Sequence, residues 1–324
     1  MSGLIARNAW TLGLAAFLGL LLIATKFIQP DFGISGLDSV GRAALPFALA
    51  TLGMAIVIIS GGIDLSVASI MAVASVTAAV LMQGTAGAVP GFVVVLVLLI
   101  GLLIGATNGA LIVLTRVPDI VVTLATLFVW EGAAILILES PGGGVAPWLR
   151  KLIVGGVTIP GIPVGLTEWI PKSLIFLLVC TALIWVPIRR SRLGLMLYAI
   201  GSDHLAAFRS GVPVGRTRII AYALSGLCAA LGGLAVTMST GIGEPIPGPY
   251  LLPSVAATVL GGVTLTGGKG GLLGPILAVF ILRLVRLDLT LLSVDPNVST
   301  IVEGTIMVVV VMLGGLVAIR GRSS

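Results

Sequence analysis

Long apolar stretches without charge are the feature that most constrains this chain. Residues 65–115 contain no Asp, Glu, Lys or Arg, and charged residues make up only 9% of the 324-residue chain. Hydrophobic residues make up 58%, and 44 further residues are Gly. Soluble domains carry about 25% charged residues, so this composition excludes a soluble globular protein. Lipid surrounds most of the chain, and little sequence is left for a fused soluble catalytic domain.

The apolar runs predict membrane-spanning helices. Residues 93–100 read VVVLVLLI and residues 18–23 read LGLLLI, whereas the strands of a transmembrane β-barrel alternate residue by residue. Each helical crossing needs about 20 largely apolar residues. We therefore predict an all-α membrane protein with about ten (eight to ten) transmembrane helices, one or two of its segments being broken or re-entrant. The predicted spans are 10–27, 43–63, two within 65–115 divided near 83–90, 120–138, 173–188, 219–239, 252–265, 272–287 and 298–317.

The distribution of basic residues predicts the orientation. The chain has 18 Lys and Arg and a net charge of +6. With a cytoplasmic N-terminus and ten crossings, 11 of the 18 fall inside and 7 outside, as the preference of cytoplasmic loops for basic residues requires. We predict cytoplasmic N- and C-termini, a single transmembrane domain over 1–324, an extracytoplasmic loop at 139–172 and a basic cytoplasmic loop at 189–218.

Two Gly-containing interruptions of the apolar pattern, 60–66 and 265–272, are candidates for a translocation pathway or hinge. They are either helices unwound at membrane depth, which line a wet cavity, or turns between spans. Asp64 precedes an apolar run and is expected to cap the following helix, or else to lie in a hinge. The candidate residues here are Gly61, Gly62, Asp64, Ser66, Gly267, Gly268 and Lys269.

Polar residues inside predicted spans are further candidates. Gly101, Gly105 and Gly109 recur every four residues, which predicts close helix packing, and the neighbouring Asn108 faces either that packing or a polar pathway. Glu131 lies within an apolar run that also holds Thr123 and Thr126. Intramembrane carboxylates are costly and therefore functional candidates, so Glu131 is a candidate for substrate or gating contact. Glu303 is a second such carboxylate, and neither has an evident charged partner in the sequence.

The sequence offers no catalytic or cofactor centre. One His, His204, and two Cys, Cys180 and Cys228, provide neither a metal-binding set nor a disulfide framework. Residues 264–271 (TLTGGKGG) fail the phosphate-loop pattern, because Val263 stands at the first Gly and Gly270 follows the Lys. We predict a non-enzymatic chain that binds no cofactor, so any dependence on ATP arises from a partner.

A short helix is predicted at about 203–211, within the basic loop. Asp203 is suited to cap it, Ala206 and Ala207 give it a small packing face, and Gly211 followed by Pro213 ends it. Such a helix is typical of a docking element, although amphipathic loop helices also lie on membrane surfaces.

Taken together, these motifs resemble the permease subunits of sugar-type ATP-binding cassette (ABC) importers, the ribose, xylose and galactose permease group that is related to branched-chain amino-acid permeases. The resemblance covers roughly residues 43–317. The stretches that carry it are 60–66 (SGGIDLS), 120–127 (IVVTLATL), 192–194 (RLG), 198–201 (YAIG), 206–207 (AA), 210–211 (SG), 259–264 (VLGGVT) and 267–270 (GGKG).

The resemblance implies a translocation subunit of the bacterial inner membrane that passes a pentose, hexose or related small polar solute. It implies a second permease copy, in a homodimer or heterodimer, a separate ABC ATPase that binds ATP and Mg²⁺, and an extracytoplasmic substrate-binding protein; no nucleic acid is implied. Helix 203–211 corresponds to the coupling helix, with its Ala206, Ala207, Ser210 and Gly211 matching. Leu205 and Phe208 depart from the family, which commonly has an acidic residue and an Arg there.

The residues leave two other functions to consider. An ion-coupled secondary transporter would use Glu131, Glu303 and Asp64 together with the two broken segments. An intramembrane enzyme would need a pair of Asp, a His-based metal set or a Ser/His dyad, and no such constellation is visible in the sequence.

Overall fold

The computed structural model describes residues 2–158, 164–246 and 248–320, which form a helical bundle. Within these ranges β pairing is limited to two isolated bridges, Gly142 with Gly243 and Gly156 with Pro171. The helices are α1 (Ser2–Ile28), α2 (Ile34–Ile59), α3 (Val67–Met82), α4 (Val89–Thr115), α5 (Asp119–Ile137), α6 (Pro147–Lys151), α7 (Val164–Thr167), α8 (Lys172–Arg190), α9 (Arg192–Ser202), α10 (His204–Arg209), α11 (Val214–Thr240), α12 (Leu251–Leu260), α13 (Leu273–Leu291) and α14 (Pro296–Arg320).

Among the described residues, six helices are long and apolar enough to cross a membrane. They lie in α1, α2, α4, α5, α8 and α11. Helices α3 and α12 are apolar but shorter, and α13 carries Arg283, Arg286 and Asp288. Each of the ten predicted spans coincides with a helix, so the all-α class is confirmed. The count of ten crossings and the side on which the termini lie stay predictions.

Helices α2 and α11 form the centre of the bundle. Every residue of α2 from Ala44 onwards is buried. On α11, Gly226 meets Gly101 and Gly105 of α4, and a Cβ on Gly105 would lie 2.1 Å from the Tyr222 carbonyl oxygen. Small residues let helix backbones approach closely where no hydrophobic driving force acts between helices in lipid. The packing role predicted for the Gly101, Gly105 and Gly109 series is therefore confirmed.

The loops 139–172 and 189–218 contact opposite ends of α2. At the N-terminal end, the Asp38 carboxylate accepts a hydrogen bond from the Gly155 backbone N–H at 2.9 Å. At the other end, the Ile59 carbonyl faces Gly201, which precedes α10. The 21 residue steps from Asp38 to Ile59 rise about 32 Å at 1.5 Å per residue, close to the thickness of about 30 Å of a bilayer core. Residues 159–163 of the predicted extracytoplasmic loop lie outside the described residues.

The chain between α11 and α12 is non-helical and runs inward along α3; we call residues 241–246 and 248–250 the descending segment. A Cβ on Gly243 would lie 2.6 Å from the Ala79 Cβ, and the Glu244 N–H donates to Ser75 Oγ at 3.0 Å. Further along, the segment borders the same cavity as Ser69. Ala79 and Ser69 are ten residues apart, or about 15 Å along a helix, which is half a membrane. The sequence predicts broken segments at 60–66 and 265–272 but not the descending segment, because residues 241–250 have the composition of a connection outside the spans.

Candidate functional site

The two predicted breaks meet each other at the C-terminal end of α2. The Gly268 N–H donates to the Ile59 carbonyl oxygen at 2.9 Å, so the end of α2 is satisfied by the segment between α12 and α13. Orphan carbonyls at a helix end need such partners when they are not in water. Because α9 lies at the same end, the geometry favours turns at one face of the bundle over helices unwound at its centre.

Four glycines from three segments hold this contact together; we call Gly61, Gly201, Gly267 and Gly268 the glycine junction. A Cβ on Gly201 would lie 2.0 Å from the Ile59 oxygen and 2.4 Å from the Gly268 nitrogen. Gly267 has φ +83°, and a Cβ there would lie 2.9 Å from the Cα atoms of Gly61 and Gly201. Only glycine permits these backbones to touch. The junction is therefore a backbone-to-backbone contact of both breaks with the end of α9.

A second contact beside the glycine junction comes from Tyr198 on α9. Its phenolic hydroxyl donates to the Gly270 carbonyl oxygen at 2.6 Å. Burial raises the pKa of the Tyr198 phenol above its usual value, and the positive charge of Arg189 opposes that rise. The hydroxyl therefore stays protonated at neutral pH, which the hydrogen bond to Gly270 requires. Lys269 between these glycines is exposed.

The predicted short helix exists as α10 and starts directly after the glycine junction. The Asp203 carboxylate accepts hydrogen bonds from the N–H groups of Leu205 and Ala206, both at 2.9 Å, which confirms the predicted cap. Gly211 ends the turn with φ +81°, as expected of a helix C-terminus.

The two alanines of α10 lie on different faces of the helix. Ala207 is buried against Ile200 and Val214, whereas Ala206 and Ser210 are exposed. Of the two alanines, only Ala207 packs within the chain, whereas Ala206 lies on the exposed side, because successive helical residues point about 100° apart. The exposed side carries two large apolar groups, Leu205 and Phe208, which are 55% and 66% exposed.

Asp64 does not cap α3, contrary to the sequence prediction. The helix begins at Val67 with Ser66 as its N-cap. The Asp64 carboxylate accepts from the Ser66 N–H and hydroxyl at 3.0 and 2.6 Å with one oxygen, and from the Ser225 hydroxyl of α11 at 2.8 Å with the other. A tertiary partner therefore competes for the carboxylate, and two further turn residues precede the helix. Asp64 is fully buried, as a charge can be only when it is well hydrogen-bonded.

Asn108 joins α4 to the same network. Its side-chain amide donates to Ser66 Oγ at 2.7 Å, and Gly62 lies close by against Tyr222 and Asp119. Asn108 is fully buried, so it lies within the packed interior. The polar residues predicted around the first break thus form one interior network that links that break to α4 and α11.

Sequence reasoning misses the charged cluster that flanks this network. Arg218 of α11 forms an ion pair with the Asp119 carboxylate at the start of α5, and the Tyr222 hydroxyl donates to the same carboxylate oxygen at 2.7 Å. In the sequence, Arg218 is only one of the basic residues that indicate orientation. The two partners are 99 residues apart, so no spacing rule could have paired them.

Among the other intramembrane candidates, Thr123 lies beside the first break, its hydroxyl 3.5 Å from the Ile63 carbonyl oxygen, whereas Glu131 and Glu303 lie apart from the glycine junction. Thr123 and Thr126 donate to backbone carbonyls of Asp119 and Thr123, as hydroxyls in lipid-embedded helices commonly do. Glu131 borders a separate cavity between α3, α5 and the descending segment. Glu303 forms an ion pair with Arg286 at 3.4 Å, so the expectation that it lacks a charged partner was wrong; the partner lies on the preceding helix.

Known proteins that match this chain are transport permeases. Residues 36–311 match the family model described as branched-chain amino acid transport system / permease component. The chain is 30% identical over 322 residues to the autoinducer 2 import system permease protein LsrD of Escherichia coli strain K12, covering 94% of this chain and 92% of that protein. The same protein of Shigella flexneri matches with the same identity and coverage. No match was found among solved structures.

Proposed function

Because the chain belongs to the family of branched-chain amino acid transport system permease components, we propose that it is the subunit through which a sugar-like solute crosses the membrane in an ABC importer. It is a multi-pass protein of the bacterial inner membrane and an ABC importer permease. Its role is non-catalytic in this proposal: a separate ABC ATPase binds ATP and Mg²⁺ and supplies the energy.

The observation that supports this role most directly is the position of α10. The helix follows the glycine junction after a single residue pair, Ser202 and Asp203. A partner that moves α10 therefore moves Gly201, and Gly201 is in backbone contact with both breaks. Packed elements transmit such displacements because interiors are close to incompressible. In this proposal Gly61, Gly267 and Gly268 act as the hinge, and α10 is the coupling helix that carries movement from the ATPase to it.

The exposed side of α10 suits a partially apolar groove on the ATPase. Leu205 and Phe208 are one helical turn apart and project from a loop rich in Arg. Aromatic side chains that enter a partner's pocket commonly dominate the binding energy. Leu205 and Phe208, which depart from the family's charged pattern, are thus the centre of the proposed contact, and the Asp203 cap stabilises the helix that presents them.

The remaining partners follow from the importer role. We propose a second permease copy, identical or related, because the translocation pathway of this class runs between two permeases. An extracytoplasmic binding protein delivers the solute. The relatives named above import autoinducer 2, which supports a small sugar-like solute for this chain.

Ion-coupled transport is less well supported by the carboxylates. Asp64 is held by Ser66 and Ser225, Glu303 is paired with Arg286, and Glu131 lies in a third location. A proton or ion relay needs neighbouring groups that can carry the ion, and these three carboxylates lie in three separate places.

Reconstitution tests the proposal. The chain is placed in proteoliposomes with its ATPase and binding protein, and uptake of autoinducer 2, D-ribose, D-xylose and D-galactose is measured with and without internal ATP. We expect ATP-dependent uptake of at least one of them. Uptake by the permease alone under an ion gradient, at the rate of the full complex, would contradict the importer role.

The docking surface is tested in the same system. Phe208→Glu should weaken binding of the ATPase at least about tenfold, because a charge replaces an apolar anchor. His204→Glu adds the same charge at the first position of α10, where it suits the helix dipole, and should bind normally. Equal binding by Phe208→Glu and the parent protein would refute the docking surface.

A further inference from the structure

A partly open cavity of about 180 Å³ lies between α3, α5 and the descending segment, away from the glycine junction. It is bordered by Ser69 and Ala72 on α3, by Leu127 and Glu131 on α5, and by Tyr250 at the end of the descending segment. Leu127 and Glu131 are four residues apart and so share one face of α5. The cavity therefore lies between α3, which is mostly buried, and α5, whose other faces are largely exposed.

Irregular backbone forms one wall of this cavity. The descending segment reaches the level of Ser69, about half a membrane from the end of α3 at which it starts. Non-helical backbone at that depth is stable only where protein buries it or where it lines a hydrated space. In transporters, apolar segments that are unusually short or that Gly and Pro interrupt point to the region where solute binds. The ten-residue α12 that follows the segment fits that description.

Among the described residues that border the cavity, Glu131 is the one with a charged side chain. Among the described residues no hydrogen-bond or ion-pair partner reaches its carboxylate, whereas Asp119 and Glu303 are both paired. A carboxylate away from bulk water is costly unless something hydrogen-bonds to it. Its position thus calls for a ligand or water that donates hydrogen bonds.

The size and composition of the cavity define the class of ligand. A volume of about 180 Å³ is below the range of about 300–1,000 Å³ that drug-sized ligands occupy, and it holds about six waters at about 30 Å³ each. An ionised carboxylate only accepts hydrogen bonds, so the ligand must donate. Ca²⁺ and similar hard cations require about six or more oxygen ligands, and the described lining offers one carboxylate, with the hydroxyls of Ser69 and Tyr250. A small neutral solute with several hydroxyl groups fits these limits.

We propose that this cavity is a transient binding site for the transported solute, in which the Glu131 carboxylate accepts hydrogen bonds from solute hydroxyl groups while Tyr250 and Leu127 contact its apolar surface. This assignment rests on the proposed importer function. It adds a location and a recognition chemistry to it: selection for neutral polyhydroxylated solutes inside the membrane, after release from the binding protein.

The experiment compares variants in the full importer complex, using as probe the member of the autoinducer 2, ribose, xylose and galactose panel that the parent complex accumulates. Glu131→Ala should lower uptake about tenfold or more, because a hydrogen bond to a charged group is lost. Glu131→Gln keeps one hydrogen-bond acceptor, so its uptake should lie between that of the parent complex and that of Glu131→Ala. Glu139→Gln makes the same exchange at an exposed residue outside the cavity and should transport normally. ATP hydrolysis stimulated by the binding protein should persist in all four proteins.

A second variant separates binding from folding. Leu127→Cys, in a background with Cys180 and Cys228 replaced, should react with a hydrophilic thiol reagent, and saturating probe should slow that reaction at least about threefold. Uptake by Glu131→Ala within twofold of the parent, or labelling that the probe does not change, would overturn the site. Gradient-dependent uptake that both Glu131→Ala and Glu131→Gln abolish would make Glu131 an ion carrier instead. Failure of the parent complex to transport with ATP would count against the importer function, and is recognised before any variant is compared.

Discussion

Replacing Gly201 with Ala sets two physical effects against each other. Gly201 lies in the last turn of α9, where helix propensity alone predicts that Ala stabilises by about 0.5–1 kcal/mol. Packing predicts instead that Ala at this position destabilises the protein. The new Cβ would lie 2.0 Å from the Ile59 oxygen and 2.4 Å from the Gly268 nitrogen, where ordinary contact begins at 3.4 Å.

The cost can be estimated from those contacts. Relieving the overlap requires a shift of more than 1 Å, since 3.4 minus 2.0 is 1.4 Å, and overpacking of this kind costs about 1–3 kcal/mol. The shift also breaks the hydrogen bond from Gly268 to Ile59, worth about 0.5–1.5 kcal/mol. Subtracting the gain in helix propensity leaves a loss of about 0.5–4 kcal/mol. At about 2–4 °C per kcal/mol, the melting temperature should fall by several degrees.

Two measurements check this prediction. Thermal unfolding of the purified protein should show the loss for Gly201→Ala and none for Gly13→Ala, because Gly13 lies inside α1 and a Cβ added there would have nothing within 4 Å. In proteoliposomes, the ratio of solute transported to ATP hydrolysed should fall only for Gly201→Ala. If both variants melt and couple alike, the glycine junction is not a tight contact and the reasoning is refuted.

Two further changes test the contacts on either side of the junction. Arg218→Ala should lower the free energy of unfolding by about 2–4 kcal/mol, because it leaves the Asp119 carboxylate unpaired in a poorly hydrated site. Adding Asp119→Asn in a double-mutant cycle should recover part of that loss. Additive losses would show that the pair does not interact. Asp203→Ala removes the cap of α10 and should cost about 1 kcal/mol of local helix stability, seen as roughly fivefold weaker binding of the ATPase, whereas the adjacent exposed His204→Ala should bind normally. Unchanged binding by Asp203→Ala would mean that α10 needs no cap to dock.

Local chemistry could be predicted from the sequence wherever the deciding contacts are local. Asp203 caps α10 because its partners are two and three residues ahead, and the glycines of α4 pack because their spacing alone places them on one face. The same reasoning failed at Asp64, where Ser225, 161 residues away, takes one carboxylate oxygen. Local rules do not account for a competing partner that only the fold brings near.

The candidate site was predicted in its parts and not in its assembly. Both broken segments and the short helix α10 were located, but that the broken segments touch at Gly201 depends on three backbones meeting in space. The pairs of Asp119 with Arg218 and of Glu303 with Arg286 were missed for the same reason. The descending segment was missed because its Pro and Gly are equally typical of an external loop, and only its contacts with Ser75 and Ala79 place it within the bundle.

The shortness of α12 has a consequence for how the protein is made. Ten residues of helix are about 15 Å long, too short to be inserted by the translocation machinery as an independent crossing. The descending segment must therefore fold back against α3 before α12 is buried in the protein. Helix α3 is synthesised more than 150 residues earlier. Insertion of the C-terminal quarter thus depends on the N-terminal half already being assembled. Truncated chains that end within α11 should be stably inserted, whereas chains that carry the segment but lack α3 should be degraded during synthesis.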